Sequence, residues 1–150
     1  MDELLTLDAN VLVYSQDTQD PFKHTIANEL IAGLRHSNAI LTALTLGEFF
    51  NAAARKFIMP ARARQVLEDF STLVPVVSYE PRHLLRAAAE VEAGRFSFWD
   101  AVMLACAEEA GCTVCLSEDM GDGARLGNIE VRNPFGPRGL NEEIRAFLQP

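Results

Sequence analysis

Five acidic residues stand where one segment of the chain gives way to the next. Asp8 follows the apolar run "LLTL", and Glu48 lies in "TALTLGEFF". Asp100 lies in "FSFWDAVMLACAEEAG", while Asp119 and Asp122 belong to "CLSEDMGDG". A carboxylate at the end of an apolar strand is costly to desolvate unless a helix cap, a hydrogen-bond network or a metal ion neutralises it. These residue types therefore suit either helix capping or divalent-metal chemistry.

Helix capping is the simpler interpretation of these acids. Thr45-x-x-Glu48 and Ser97-x-x-Asp100 both fit the capping-box pattern, in which an acid in the first helical turn supports exposed N–H groups and the helix dipole. The segment "SEDMGDG" has the composition of a turn. Each acid, taken alone, is explained as well by a cap or a turn as by a metal site.

Two observations favour a metal site. Asp100, at about 100° per residue, shares its helix face with Met103, whereas Glu109 lies opposite, so Asp100 points inward. None of the acids has an obvious local cation, and the closest basic residue downstream of Asp8 is Lys23. Unpaired carboxylates in one cleft raise each other's pKa, and hard divalent cations with oxygen ligands relieve that repulsion.

The elements that must position these acids alternate along the chain. Short apolar runs predict strands at 4–7, 39–43, 74–77 and 113–117, with a short edge strand at 130–132. Amphipathic or apolar periodicity predicts helices at 22–34, 48–57, 61–73, 81–93, 98–110 and 141–148. Apolar strands separated by helices indicate a parallel sheet covered on both faces, a three-layer α/β/α sandwich. We expect one domain over residues 1–150, with the acids at the carboxyl ends of the strands, where such folds bind ligands.

Composition restricts the class of protein. Of 150 residues, 49% are hydrophobic and 23% charged, which is typical of a globular fold. No apolar run reaches the length of a membrane span, and "MDELL" lacks the basic start of a signal peptide. Three cysteines, an odd number, suit a reducing compartment, so we expect a cytoplasmic protein with no membrane partner. The net charge of −8 argues against non-specific nucleic-acid binding.

Weaker signals favour packing over chemistry. Cys112-x-x-Cys115 has no second pair and no nearby histidine, so we interpret it as structural. The three histidines fit no ligand spacing. Trp99 and the nine Phe are expected in the core. A patch of Phe49, Phe50 and Phe57 is a candidate dimer-facing surface.

Four motifs taken in order resemble the PIN-domain nucleases, in particular the VapC-like toxins. They are "LTLDANVLVY", "LTLGEFFNAA", "SFWDAVMLACAEEAGC" and "LSEDMGDGARLGNIEVRNPF", and the resemblance covers residues 5–135. It implies a Mg²⁺- or Mn²⁺-dependent endoribonuclease, a homodimer and an inhibitory antitoxin protein. The acids that the resemblance makes catalytic and metal-binding are Asp8, Glu48, Asp100 and Asp119, with Asp122 as a substitute or additional ligand. Asn10 and Ser117 match polar positions that support the first and last acids.

Other acidic-pocket proteins fit less well. A haloacid-dehalogenase-type phosphatase needs a second Asp two residues after Asp8, where this chain has Asn10. A response-regulator receiver needs a lysine at the end of a late strand, and neither Lys23 nor Lys56 lies there. A catalytically inactive PIN-fold interaction module stays open, although the intact set of acids argues against it.

Overall fold

The computed structural model describes residues 3–148 and alternates short strands with helices. The elements are, in chain order, β1 (Leu5–Leu7), α1 (Ala9–Tyr14), α2 (Pro21–Leu34), β2 (Leu41–Thr42), α3 (Ala43–Lys56), α4 (Pro60–Leu73), β3 (Val76–Val77), α5 (Pro81–Glu92), α6 (Phe98–Glu109), β4 (Val114–Leu116), β5 (Arg125–Leu126), β6 (Ile129–Arg132), β7 (Phe135–Gly136), β8 (Gly139–Leu140) and α7 (Glu142–Phe147). No helix within these residues is long and apolar enough to cross a membrane.

The central sheet is mainly parallel. Its strand order is β1-β4-β6-β5, with β1, β4 and β6 parallel and β5 antiparallel to β6. A parallel bridge between Leu5 and Ala39 joins β1 to the chain just before β2, and β2 pairs in parallel with β3. The carboxyl ends of β1, β2 and β4 therefore lie at one edge, where the acids were expected.

Side chains alternate across the sheet and build one core on each face. Val114 and Leu116 of β4 belong to a core with residues of α1, α2, α3, α4 and α7. Cys115, between them, belongs to a second core with α6, β5 and β6. Successive strand residues point to opposite faces, so these two cores confirm the predicted three-layer sandwich.

Several predicted boundaries are wrong, each for a local reason. The run after Asp8, for which no helix was predicted, forms the short helix α1, because apolar composition alone does not separate a helix from a strand. Helix α3 begins at Ala43, not near Glu48, because Thr42 caps it by accepting a hydrogen bond from the Thr45 N–H at 3.1 Å. Strand β6 is internal and not an edge strand, because β5 pairs with its outer side. The turn between β5 and β6 contains Gly127 at φ 58°, a conformation that suits glycine.

Two predictions for the aromatic residues are wrong, whereas the cysteines lie in the core as expected. Trp99 is 48% exposed, so its expected place in the core is wrong. Phe49 is fully buried, with its ring centroid 5.0 Å from that of Phe70, which removes it from a dimer-facing patch. Cys112 and Cys115 are buried in the second core, as packing residues should be, and burial raises the pKa of Cys112 to about 12.

Candidate active site

Five carboxylates line one open cleft of about 460 Å³, and four of them, Asp8, Glu48, Asp100 and Asp119, are acids that the sequence motifs single out. Asp8 follows β1 and Asp119 follows β4, neighbouring parallel strands whose ends meet at this edge. Glu48 comes from the second turn of α3 and Asp100 from the first turn of α6. The fold thus brings together residues that lie up to 111 positions apart in the chain.

Asp8 is the most enclosed of the four acids, at 6% exposure. One oxygen, Oδ1, accepts the Ala9 N–H at 2.8 Å, which makes Asp8 the N-cap of α1. The other, Oδ2, accepts the Ser117 hydroxyl at 2.8 Å and the Asn10 amide at 3.0 Å. The cap and the hydrogen-bond network considered for this residue are therefore both present, and they fix the direction of the carboxylate.

The side-chain amide of Asn10 joins the two acids that follow β1 and β4. Its Nδ2 lies 3.0 Å from Asp8 Oδ2, 3.1 Å from Ser117 Oγ and 3.2 Å from Asp119 Oδ2. Its Oδ1 accepts the Glu118 N–H at 3.3 Å. Asn10 and Ser117 thus both contact Asp8, and Asn10 also contacts Asp119.

The capping boxes predicted for the other two acids do not form. Glu48 lies one turn too far along α3, since Thr42 and not Thr45 is the cap. At α6, Ser97 stands at the N-cap but makes no side-chain bond to the helix backbone. Its hydroxyl instead donates to Asp100 Oδ2 at 2.8 Å, which holds that carboxylate at the cleft.

The electrostatics of the cleft are those of like charges held together. Burial raises the pKa of Asp8, and the charges of Asp100 and Asp119 raise it further against the lowering effect of the Ser117 hydrogen bond. Burial also raises the pKa of Glu48, with smaller contributions from Asp8 and Asp100. None of the four carboxylates forms an ion pair with a lysine or arginine among residues 3–148.

The PIN-domain family model matches residues 5–121, more than half of the chain. This chain belongs to the PIN-domain family. The matched segment holds every acid that lines the cleft, and its last residue lies just before Asp122. No curated protein sequence matches this PIN domain.

Solved structures resemble this PIN domain in fold. VapC20 of Mycobacterium tuberculosis, described as a toxin that cleaves the sarcin-ricin loop, is 19% identical with a TM-score of 0.61, covering 74% of this chain and 86% of its own. DNA-bound VapBC of Salmonella typhimurium is 20% identical with a TM-score of 0.62, covering 89% and 98%. VapBC2 of Rickettsia felis, bound to a promoter DNA fragment, is 12% identical with a TM-score of 0.64, covering 87% and 98%.

Of the two acids in the last motif of the PIN domain, Asp119 lines the cleft. Asp122 lies instead in the turn beyond it, where its Oδ1 accepts the Asn133 N–H at 2.9 Å. Gly121 and Gly123 flank it at φ 82° and 89°, conformations that suit glycine, so the predicted turn is present here. The geometry favours Asp119 as the fourth acid.

Three residues in or beside the cleft were not predicted as site residues from the sequence. Asp17 lines the cleft without any motif around it. Tyr14 also lines it and donates its hydroxyl to Glu118 Oε1 at 2.7 Å. Lys23, the closest basic residue downstream of Asp8, forms an ion pair with Glu118. Their shared position is set by helix packing, for which the sequence gives no local signal.

The donor set fits a hydrated divalent ion. No three His, Cys, Asp or Glu side chains within residues 3–148 lie close enough to hold a metal ion directly. Mg²⁺ usually keeps several waters and binds through one or two carboxylates, so it does not require such a cage. Carboxylate oxygens also suit Mn²⁺. Asp8, Glu48, Asp100 and Asp119 are therefore suitable ligands, directly or through water.

Proposed function

We propose that this PIN domain is a divalent-metal-dependent endoribonuclease that hydrolyses RNA phosphodiester bonds. The observation that carries the proposal is the convergence of Asp8, Glu48, Asp100 and Asp119 on one cleft without a cation of their own. A purely structural set of caps would have no need to concentrate unpaired charge in one place. The VapC-like shape of the fold supports the same activity.

The residues have separate tasks in this proposal. Asp8 and Asp100 bind Mg²⁺ or Mn²⁺, and Glu48 and Asp119 complete the ligand set, directly or through water. The bound metal would supply an activated water, hold the scissile phosphate and stabilise the leaving oxygen. Asn10 and Ser117 hold Asp8 and Asp119 in register by their hydrogen bonds. Asp122 remains a candidate additional ligand for a bound ion.

The same proposal makes the chain the toxin of a type II toxin–antitoxin pair. Similar solved structures include VapBC assemblies and a "toxin-antitoxin complex" of Klebsiella pneumoniae. The cleft is open, so a partner segment could enter it and place an Arg among the carboxylates. We propose such an antitoxin, a homodimer of this chain, and a cytoplasmic location where the RNA substrate is found.

Metal-dependent cleavage is the decisive measurement. Purified protein is incubated with labelled RNA in magnesium, in manganese and in chelator, with a generic phosphomonoester as a parallel substrate. We expect internal RNA cleavage with either metal and none in chelator. Cleavage that persists in chelator contradicts the metal mechanism. Phosphate release without RNA cleavage would favour the phosphatase, and neither activity would indicate an inactive interaction module.

Co-purification tests the partner and the dimer. The protein is isolated from its native host, and the mass of the complex is measured by light scattering with and without the co-purified protein. We expect an inactive complex that gains nuclease activity when the partner is removed, with two copies of this chain. A fully active monomer as the only species contradicts this part of the proposal.

A further inference from the structure

A cation lies beside the acidic cleft. The Lys23 ammonium lies 3.3 Å from the hydroxyl of Tyr14, a cleft-lining residue. Its nitrogen is also 5.0 Å from the centre of the Tyr14 ring and 5.8 Å from that of Phe135. Within residues 3–148, no other lysine or arginine hydrogen-bonds to a side chain that lines the cleft.

The cluster is built to hold this cation in place. Tyr14 and Phe135 pack edge to face, with ring centroids 5.2 Å apart, and form an aromatic surface under the ammonium. Glu118 pairs with Lys23 and also accepts the Tyr14 hydroxyl. The hydrogen bond to Glu118 is the main reason that the pKa of Lys23 rises to about 12, so the cation is charged at any working pH.

Stability alone explains this arrangement poorly. The side chains of Lys23 and Glu118 are 29% and 21% exposed, and an ion pair still in contact with water contributes little to folding. The ammonium is therefore partly exposed to solvent, next to the hydroxyl of the cleft-lining Tyr14. An RNA strand whose scissile phosphate lies among the acids also brings its neighbouring phosphates close to the acidic cleft. A fixed cation there offsets the repulsion between these phosphates and the carboxylates.

We propose that Lys23 and Tyr14 form a subsite for an RNA backbone phosphate next to the scissile one. In the free protein Glu118 binds Lys23, and the phosphate replaces Glu118 when RNA binds. This inference rests on the proposed ribonuclease function and adds a residue set for substrate binding. The phosphate accepts hydrogen bonds from the Lys23 ammonium and the Tyr14 hydroxyl, both of which Glu118 accepts in the free protein. Lys23 and Tyr14 act in binding and Glu118 is a positioning residue.

The opposite effects of two substitutions test the subsite. Binding of a fluorescently labelled, mixed-sequence single-stranded RNA is measured in chelator, over a range of salt concentrations, for the wild type, Lys23→Gln and Glu118→Gln. We expect Lys23→Gln to weaken binding about tenfold and to reduce the slope of log K against log salt by about 0.7. Glu118→Gln should tighten binding, because it frees the ammonium. If the pair is only structural, both variants weaken binding alike.

Controls separate the subsite from general charge and from catalysis. Arg35→Gln removes one positive charge from the exposed end of α2 away from the cleft and should leave RNA binding near the wild-type level. Lys23→Arg should restore most of the affinity that Lys23→Gln loses. In cleavage assays Lys23→Gln should raise KM with little change in kcat.

The binding assay keeps this inference distinct from the proposed function. A Lys23-dependent salt slope in a protein that never cleaves RNA supports the subsite and contradicts the nuclease. Cleavage with an unchanged KM and salt slope in Lys23→Gln contradicts the subsite and supports the nuclease. Failure of every variant to bind RNA also contradicts the subsite.

Discussion

At the scale of single residues, Asp100 best separates a capping role from a metal-binding role. Its carboxylate accepts the Ser97 hydroxyl and raises the pKa of Asp8 and of Glu48 through its charge. A residue retained for helix capping would lower the energy of the metal-free fold. An acid in a repulsive cluster instead raises the free energy of the metal-free fold until a cation binds.

We predict that Asp100→Asn leaves the metal-free protein as stable as the wild type or more stable. Asparagine can still accept the Ser97 hydrogen bond but removes one charge from the cleft. A capping role would instead cost up to about 1 kcal/mol. Magnesium should raise the melting temperature of the wild type, since it binds the folded state. That rise should shrink in Asp100→Asn and in Asp8→Asn, and RNA cleavage should be lost in both.

Glu68→Gln is a matched control for these variants. Glu68 is an exposed acid of α4 and does not line the cleft, so its removal should change neither the magnesium response nor cleavage. Thermal melts with and without magnesium measure the stability of all four proteins. A destabilised Asp100→Asn with a wild-type magnesium response would contradict the metal assignment.

Asn10 gives a second prediction at this scale. Its amide donates hydrogen bonds to Asp8, Ser117 and Asp119. Asn10→Ala therefore removes the side chain that orients the Asp8 and Asp119 carboxylates. We expect cleavage and apparent magnesium affinity to fall about tenfold or more, as for other residues that orient metal ligands. A magnesium titration of cleavage measures both. Asn28→Ala, at an exposed amide on α2, should have no such effect, and equal losses in the two variants would contradict the orienting role.

At the scale of elements, an ionic cluster joins α5 to α6 on the side of α6 away from Asp100. Glu109 receives hydrogen bonds from Arg82, and its second oxygen lies 3.0 Å from His83 Nε2. Chiefly through the Arg82 hydrogen bonds, the pKa of Glu109 falls from 4.5 to about 2. Helical periodicity predicts that Glu109 lies opposite Asp100, and the contacts of Glu109 with α5 agree with that position.

We predict that this cluster stabilises the fold near neutral pH and that its contribution is lost in acid. A lowered pKa stabilises the fold fully above pH 4.5, and the contribution is lost as the pH falls from there towards 2. Glu109→Gln should therefore be less stable than the wild type near neutral pH, and the difference should narrow across that window. Urea unfolding at a series of pH values measures it, with the exposed Glu92→Gln of α5 as the control. A difference that stays constant with pH would contradict the prediction.

At the scale of the whole molecule, the net charge of −8 and the acidic cleft both destabilise the metal-free fold through repulsion between like charges. Mutual repulsion destabilises a compact anionic fold, and salt screens it over about 8 Å at physiological ionic strength. We predict that sodium chloride raises the melting temperature of the metal-free wild type, and raises that of Asp100→Asn by less. A fall in melting temperature with salt would mean that the ion pairs outweigh the repulsion.

The sequence by itself determined the parallel α/β class, the buried helix α6 and four of the five acids that line the cleft. Apolar runs and helical periodicity report local burial, and the inward direction of Asp100 follows from its helix face alone. The sequence did not determine the start of α3 or the helix after Asp8, because a short apolar run suits a strand and a helix equally well.

Only the tertiary structure decided which distant side chains meet. Asn10 reaches Ser117 and Asp119 across 107 and 109 positions, because β1 and β4 are neighbours in the sheet. Lys23 meets Glu118 because α2 packs against α1, whose residue Tyr14 also contacts Glu118. Pairings of this kind depend on how whole elements pack, and no periodicity within a segment records them.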